Sequence, residues 1–280
     1  MSLRELLISA RREFESLDIP AIDSELLLAH ILGVPRMELH SREFTLTSEQ
    51  ESEFFQLIAD RKRGIPTQYL IGKAPFRYLE FDVGPGVLIP RPETEMLVDA
   101  VLDEVGKLGR TASVVDLGSG SGAIAISIAI EAAKKGQAVT VVAVENDPKA
   151  LEWLRRNIAR HEVDIRVVAE DVERALIDVR ADIVVANPPY IPSESELPEL
   201  VKDHEPHSAL FGGAVDGLDI PRRFIAAATR ILKPEGFLVI EHYEKQRAGL
   251  EAELGQDYRD ITSYLDLNQR DRMITARKRP

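Results

Sequence analysis

Apolar residues near the start of the chain recur at helical spacing. Leu3, Leu6, Leu7, Ala10, Phe14 and Leu17 fall on one helical face. Residues 21–32 read as a second helix, stopped by Gly33 and Pro35. Ser48-Glu49-Gln50-Glu51 reads as a capping box that opens a third helix carrying Phe54, Phe55, Leu57 and Ile58 and ending at Gly64. The period then changes. Residues 76–83 are strand-like, Gly84-Pro85-Gly86 reads as a turn, and Val87-Leu88-Ile89 returns, which predicts a β-hairpin linker over 75–90. Beyond residue 91 strands and helices alternate. Helices are expected over 93–105, 122–135, 148–161 and 220–232, and strands over 113–116, 139–145, 165–168, 182–186 and 236–241. Uninterrupted apolar runs such as 139–144 suit strands covered on both faces. This alternation predicts an α/β fold with a mostly parallel sheet. The late strands 258–266 and 273–277 have no helix between them, which predicts an antiparallel C-terminal edge. The expected organisation is a helical bundle over 1–74, the linker over 75–90 and an α/β domain over 91–280.

Composition narrows the function classes. Asp and Glu total 47 against 35 Lys and Arg, a net charge of −12, which is the wrong global field for a tight duplex nucleic-acid binder. There are no cysteines, so disulfides, thiolate metal sites and cysteine nucleophiles are excluded. The histidines show no metal-ligand spacing, and no metal is expected. The longest apolar stretch, 123–130, is far short of the ~20 residues that span a bilayer. With no secretory or mitochondrial leader pattern at the N-terminus, the expectation is a cytoplasmic protein.

Two constellations carry chemistry. The first is Asp116-Leu117-Gly118-Ser119-Gly120-Ser121-Gly122, at the end of a buried strand and the start of a helix. Glycines there let a ligand approach the backbone and face the helix N-terminus. The string also satisfies the dinucleotide pattern G-x-G-x-x-A, so a nicotinamide fold competes at this point. Asp116 favours a cationic ligand over a pyrophosphate. Glu145 ends the next strand, placed to accept both hydroxyls of a ribose. The second constellation is Asn187-Pro188-Pro189-Tyr190, after the strand at 182–186. Two prolines make a rigid turn with few donors, leaving the Asn187 amide oxygen and the Pro188 carbonyl as paired acceptors for an NH2 group, with Tyr190 as a stacking surface. The plainer reading of this second motif is a loop in which Asn187 caps a turn.

Taken together, these motifs resemble the class I S-adenosylmethionine-dependent methyltransferases that act on amino or amide nitrogen. The match is closer to the peptide chain release factor glutamine methyltransferase family. It extends over Gln68-Tyr69-Leu70-Ile71-Gly72, Ile89-Pro90-Arg91-Pro92-Glu93-Thr94-Glu95, the Gly-rich loop, Asn187-Pro188-Pro189-Tyr190-Ile191, Glu205-Pro206, Ala209 to Gly213, Asp216 to Asp219, Glu241-His242 with Gln246, and Asp271-Arg272. The resemblance implies a Rossmann-like methyltransferase domain behind a small N-terminal helical bundle that docks the substrate. It implies that Gly118, Ser119, Gly120, Ser121 and Gly122 wrap S-adenosylmethionine, that Glu145 holds its ribose and that Asp171 and Val172 lie beside adenine. Asn187, Pro188, Pro189 and Tyr190 would bind the substrate amide, with Asn187, Pro188 and Tyr190 catalytic and Asn187 also touching the cofactor. Arg91, Glu93 and Thr94 would line or brace the cofactor pocket. The chain departs from the family at Glu145 (usually Asp), Val172 (commonly aromatic), Tyr243 (usually Gly) and one extra residue near Ala214. The implied reaction is methylation of the glutamine of a Gly-Gly-Gln motif in peptide chain release factors. The implied protein is a monomer that binds neither membrane nor, directly, nucleic acid. The alternative is an adenine-N6 methyltransferase acting on DNA or RNA, since an exocyclic amine presents the same NH2.

Overall fold

The computed structural model describes residues 3–195 and 204–280. The chain forms two compact units, residues 1–73 with 197–204, and residues 74–196 with 205–280.

In the first unit, helices α1 (Leu3–Glu15), α2 (Ile22–Leu32), α3 (Ser48–Lys62) and α4 (Thr67–Ile71) enclose a core built from Leu6, Phe14, Leu27, Leu28, Phe54 and Ile58. Gly33 ends α2 in the left-handed region, its N–H returning to the last turn. The capping box of α3 sits one residue earlier than the sequence pattern predicts. Thr47, extended at φ −75° and ψ 164°, is the cap, and its hydroxyl accepts from the Gln50 N–H at 3.3 Å while the Gln50 side chain accepts from the Thr47 N–H at 3.0 Å. Both Thr47-x-x-Gln50 and Ser48-x-x-Glu51 satisfy the box, but Ser48 is already helical, and a cap must not be.

The hairpin also differs from expectation. Its strands are β1 (Lys73–Phe76) and β2 (Leu79–Asp82), and the chain reverses at Arg77-Tyr78. Gly84-Pro85-Gly86 does not join strands, and Val87-Leu88-Ile89 is not one. Arg77 holds a left-handed φ of 52°. Its N–H donates to Glu95 at 2.7 Å, and its guanidinium is tied to Glu131 and Asp99. A few bonds to distant residues thus offset a backbone conformation that Arg pays for locally.

The second unit continues through α5 (Glu95–Leu108), β3 (Ala112–Leu117), α6 (Ala123–Lys134), β4 (Val139–Glu145), α7 (Pro148–His161), β5 (Ile165–Ala169), β6 (Ala181–Ala186), α8 (Asp219–Ile231), β7 (Leu232–Glu241), α9 (Arg247–Leu254), β8 (Tyr258–Leu265) and β9 (Asp271–Lys278). The sheet order is β5-β4-β3-β6-β7-β9-β8. The strands from β5 to β7 pair in parallel, and β9 and β8 complete the edge antiparallel. This is the fold class that the alternation and the late strand pair predict. The chain enters the sheet at β3, runs outward through β4 to β5, then returns to β6 on the other side of β3. The carboxyl ends of β3 and β6 are therefore the topological switch point, where an open α/β sheet leaves a crevice. Among the described residues no helix is long and apolar enough to cross a membrane.

Candidate active site

Strand register brings the two sequence motifs together. Leu117 pairs with Val144 on one side and with Ala186 on the other. Ala186 in turn pairs with Ile240. Gly118, Glu145, Asn187 and Glu241 therefore all follow directly at one end of four adjacent parallel strands, though 123 residues separate the first from the last in the chain. A cavity of about 520 Å³ opens at that end, within the usual range for a small-ligand site.

The Gly-rich loop forms one wall. Gly118 and Ser119 donate their N–H groups to the Val144 carbonyl at 2.9 and 3.0 Å, so the loop folds over the end of β4. Gly118 has φ +69°, and a Cβ there would meet the Phe224 ring at about 3.0 Å. Gly118, Ser119, Gly120 and Ser121 line the cavity, and Gly122 does not. Gly122 starts α6 at φ +84°, and a Cβ would reach 2.7 Å from Leu154. A glycine there permits the close packing of loop against α7. Asn157, fully buried on α7, donates to the Ser121 and Asp82 carbonyls at 2.9 Å and steadies the same loop.

Glu145 lies in the wall, nearly buried. Its Oε2 accepts from the Gly120 N–H at 2.9 Å, and its Oε1 from the Asn146 and Asp147 N–H groups at 2.8 and 2.9 Å. Burial raises its pKa, and these three backbone donors oppose that rise. The donors fix the carboxyl at the cavity, and an ionised carboxylate keeps further acceptor capacity for hydroxyls. Asp116 is fully buried, and neither oxygen has a partner at full hydrogen-bonding geometry; burial pushes its pKa up to about 7. Asp171 and Val172 line the cavity, along with Phe224 and Ile220, two apolar side chains from α8. These apolar side chains were not singled out from the sequence, because they look like any helix core stripe. A glycine cradle with the Glu145 and Asp171 carboxyls at the same cavity fits a ligand that carries hydroxyls and positive charge. S-adenosylmethionine has both, and the residues present fit it.

The Asn-Pro-Pro-Tyr turn supplies the opposite wall through Asn187 and Pro189. Pro188 and Tyr190 are not part of that wall. Pro188 is buried, and the Tyr190 hydroxyl donates inward to Glu241 Oε1 at 3.0 Å. The Tyr190 carbonyl accepts from Gln246 Nε2 at 2.7 Å, so both ends of the residue are pinned. Burial raises the Tyr190 pKa, reinforced by the Glu241 charge. Tyr190 thus acts as a strut that anchors the turn. Asn187 Nδ2 donates to Thr94 Oγ1 at 3.1 Å, which fixes the orientation of the carboxamide. Arg91 and Thr94 line the cavity, and Glu93 does not. Arg91 forms an ion pair with buried Glu205, whose Oε2 accepts from the Ile89 N–H at 3.1 Å, holding Pro206, Ser208 and Ala209 at the cavity. Glu241 carries no role in the sequence reading. Its signal was the same as that of Glu145, an acid terminating an apolar strand.

Comparison with known proteins places this geometry in a family. Residues 5–72 match the PrmC N-terminal domain model, and residues 92–203 match the methyltransferase small domain model. The chain is 39% identical to the release factor glutamine methyltransferase of Streptomyces coelicolor, over 92% of this chain and 91% of that protein. It is 41% identical to the enzyme of the same name from Mycolicibacterium smegmatis, over 92% and 90%. The Corynebacterium glutamicum relative is 34% identical over 99% of both chains. Among solved structures, a methyltransferase of Pyrococcus furiosus superposes with a TM-score of 0.54 at 18% identity, covering 79% of this chain and all of that one. The 16S rRNA N2-G1207 methyltransferase of T. thermophilus, in complex with AdoMet and guanosine, gives 0.53 at 22% identity over 74% and 50%. Those two likenesses establish the class I methyltransferase fold. With the sequence relatives covering nearly the whole chain, the protein belongs to the release factor glutamine methyltransferase family.

Proposed function

We propose that this protein transfers a methyl group from S-adenosylmethionine to the side-chain amide nitrogen of the glutamine in the Gly-Gly-Gln motif of peptide chain release factors. Residues 1–74 serve to dock that protein substrate. The setting is the cytoplasm, and the enzyme acts as a monomer. The observation that carries the reading is the hydrogen bond from Asn187 Nδ2 to Thr94 Oγ1. With its NH2 end committed to Thr94, the carboxamide offers Oδ1, an acceptor, to the cavity it lines.

An amide nitrogen is a weak nucleophile because its lone pair is delocalised into the carbonyl. Asn187 Oδ1 accepts one N–H of the substrate amide, and we assign the other to the main-chain carbonyl of Pro188, whose ring is buried. Holding both hydrogens aims the nitrogen lone pair and favours localising its electrons. The bound S-adenosylmethionine supplies an electrophilic methyl on a sulfonium. Glu145 and the Gly118–Ser121 loop would hold the donor, and positioning of the two reactants would provide much of the rate. As the nitrogen gains positive charge, the two oxygens stabilise it. The first product is the N-methylated amide that still carries both N–H hydrogens and a positive charge; this cation is a strong acid and loses one proton without a dedicated base.

The test is incubation with labelled methyl donor and purified release factor, with the label located by mass spectrometry. Label on the glutamine of Gly-Gly-Gln is expected. Label on adenine of a DNA or RNA oligonucleotide, with none on the release factor, overturns the reading. Asn187→Ala is expected to lower kcat about 100-fold or more, the scale for loss of one preorganised group at a reacting centre, with S-adenosylmethionine affinity nearly unchanged. Collapse of cofactor affinity with retained turnover of the bound complex would remove Asn187 from this role.

A further inference from the structure

A second group controls which end of the Asn187 carboxamide faces the cavity. Thr94 Oγ1 accepts from Asn187 Nδ2, so the Thr94 hydroxyl proton must point elsewhere. The Glu241 carboxyl lies near enough for the Thr94 hydroxyl to favour its charged form, and we take it as the acceptor of that proton. This residue is 1% exposed at the end of β7, on the strand beside the one that Asn187 follows. Its Oε1 takes the Tyr190 hydroxyl, and its Oε2 is sealed from solvent without a partner at full hydrogen-bonding geometry. The hydroxyls of Thr94 and Tyr190 both draw the Glu241 pKa down, while burial outweighs them.

We propose that Glu241 is a positioning residue whose carboxylate fixes the direction of the hydrogen-bond chain Asn187 NH2 to Thr94 hydroxyl to Glu241, and so holds the Asn187 oxygen toward the substrate amide. The idea rests on the reading of Asn187 as an amide acceptor. An ionised carboxylate has no proton to give, so the chain can run only one way. A neutral group in its place has a donor of its own. That donor would satisfy Thr94 Oγ1, release Asn187 Nδ2 and let the carboxamide turn its NH2 into the cavity. Two NH2 groups would then face each other with no acceptor between them. Glu241 also restrains the Tyr190 hydroxyl, so one side chain braces both ends of the Asn-Pro-Pro-Tyr turn.

Tyr190 faces Glu241 from the turn, Thr94 and Glu93 from the turn before α5, and Arg272 from β9. Arg272 is shared with Asp266, its Nε lying 3.3 Å from the Asp266 carboxylate, so its charge is partly compensated. Next along the chain, His242 is fully buried, and burial lowers its pKa, so it adds little positive charge. The balance leaves Glu241 titrating at about 7. Turnover should therefore rise with pH through neutrality as the carboxylate forms.

The experiment compares the full-length wild type with Glu241→Gln, Thr94→Val, Thr94→Ser and the Glu241→Gln/Thr94→Val pair. Kinetics are measured against pH, and the Asn187 side-chain NH2 is followed by nitrogen-15 NMR. Glu241→Gln and Thr94→Val should each lower kcat by about 30-fold or more, with KM for release factor and cofactor affinity little changed; Thr94→Ser should restore most of the rate. The double variant should be no worse than either single one, because both act through the same carboxamide. In the wild type the Asn187 NH2 signals should move with pH near neutrality, and in Glu241→Gln they should not. Retained kcat in Glu241→Gln, fully additive losses, or Asn187 signals indifferent to Glu241 overturn the proposal. If Glu241→Gln does not fold, Thr94→Val and the wild-type titration decide. A wild type that methylates no glutamine condemns the underlying reading instead, and the NMR titration still tests the chain of hydrogen bonds.

Discussion

Asp116 shows how one residue's surroundings decide its chemistry. In solution a carboxyl titrates well below neutrality; here burial, only partly opposed by Ser119 and the Ala125 N–H, pushes it up to about 7. Its folded pKa lies above the ordinary 3.8, so between those values the folded chain keeps a proton that the unfolded chain has lost. Stability from this group is full below about 3.8, falls as pH rises through the window, and stays low above about 7. Asp116→Asn removes that titration. The variant should be more stable than the wild type at pH above 7 by roughly 1–3 kcal/mol, and the gap should close toward acid pH. Thermal unfolding at several pH values measures it, and a gap that stays constant with pH would contradict the assignment. The sequence makes Asp116 and Glu145 visible as acids at strand ends. It does not show that three backbone N–H groups hold the second at full hydrogen-bonding geometry while the first has no partner at that geometry.

At the scale of elements, most boundaries are local matters. The helix Pro148–His161 has Asp147 as cap, accepting from the Lys149 and Ala150 N–H groups, and Pro148 at its first position, all legible in the sequence. The cap of α3 is less so, since two adjacent residues satisfy one pattern. Thr47→Ala should cost about 1 kcal/mol and Ser48→Ala only a few tenths. Chemical denaturation separates them, and an equal loss at both positions would restore the box to Ser48. The hairpin was misplaced for a different reason. Glycines and a proline at 84–86 are the stronger turn signal, but the turn is made at Arg77-Tyr78, where Glu95, Asp99 and Glu131 hold Arg77. Those partners are 18 to 54 residues away and leave no trace in local periodicity.

For the molecule as a whole, the order of strands matters more than any strand. The jump from β5 back to β6 creates the crevice, and the pairing of Leu117 with Ala186 sets the Gly-rich loop beside Asn187. A ligand bound only by the folded crevice stabilises the fold by mass action. S-adenosylmethionine at 100 times its Kd should add about 2.7 kcal/mol to the unit that holds the cavity. Differential scanning calorimetry reads this as a rise in Tm that grows with cofactor concentration; a Tm indifferent to it would argue against this cavity as the cofactor site.

The sequence by itself determined the helical and strand periods, the α/β class with its antiparallel edge, and the residue types able to cradle a nucleoside and grip an NH2 group. Those properties depend on neighbours within a few residues, or on motifs that stay contiguous. Only the tertiary structure decided that Gly122 packs against Leu154 rather than lining the cavity, that Tyr190 is a strut, and that Glu241 stands behind Asn187. Each of these depends on which distant strand end or helix face lies opposite. That is settled by strand order and register, which no local pattern encodes.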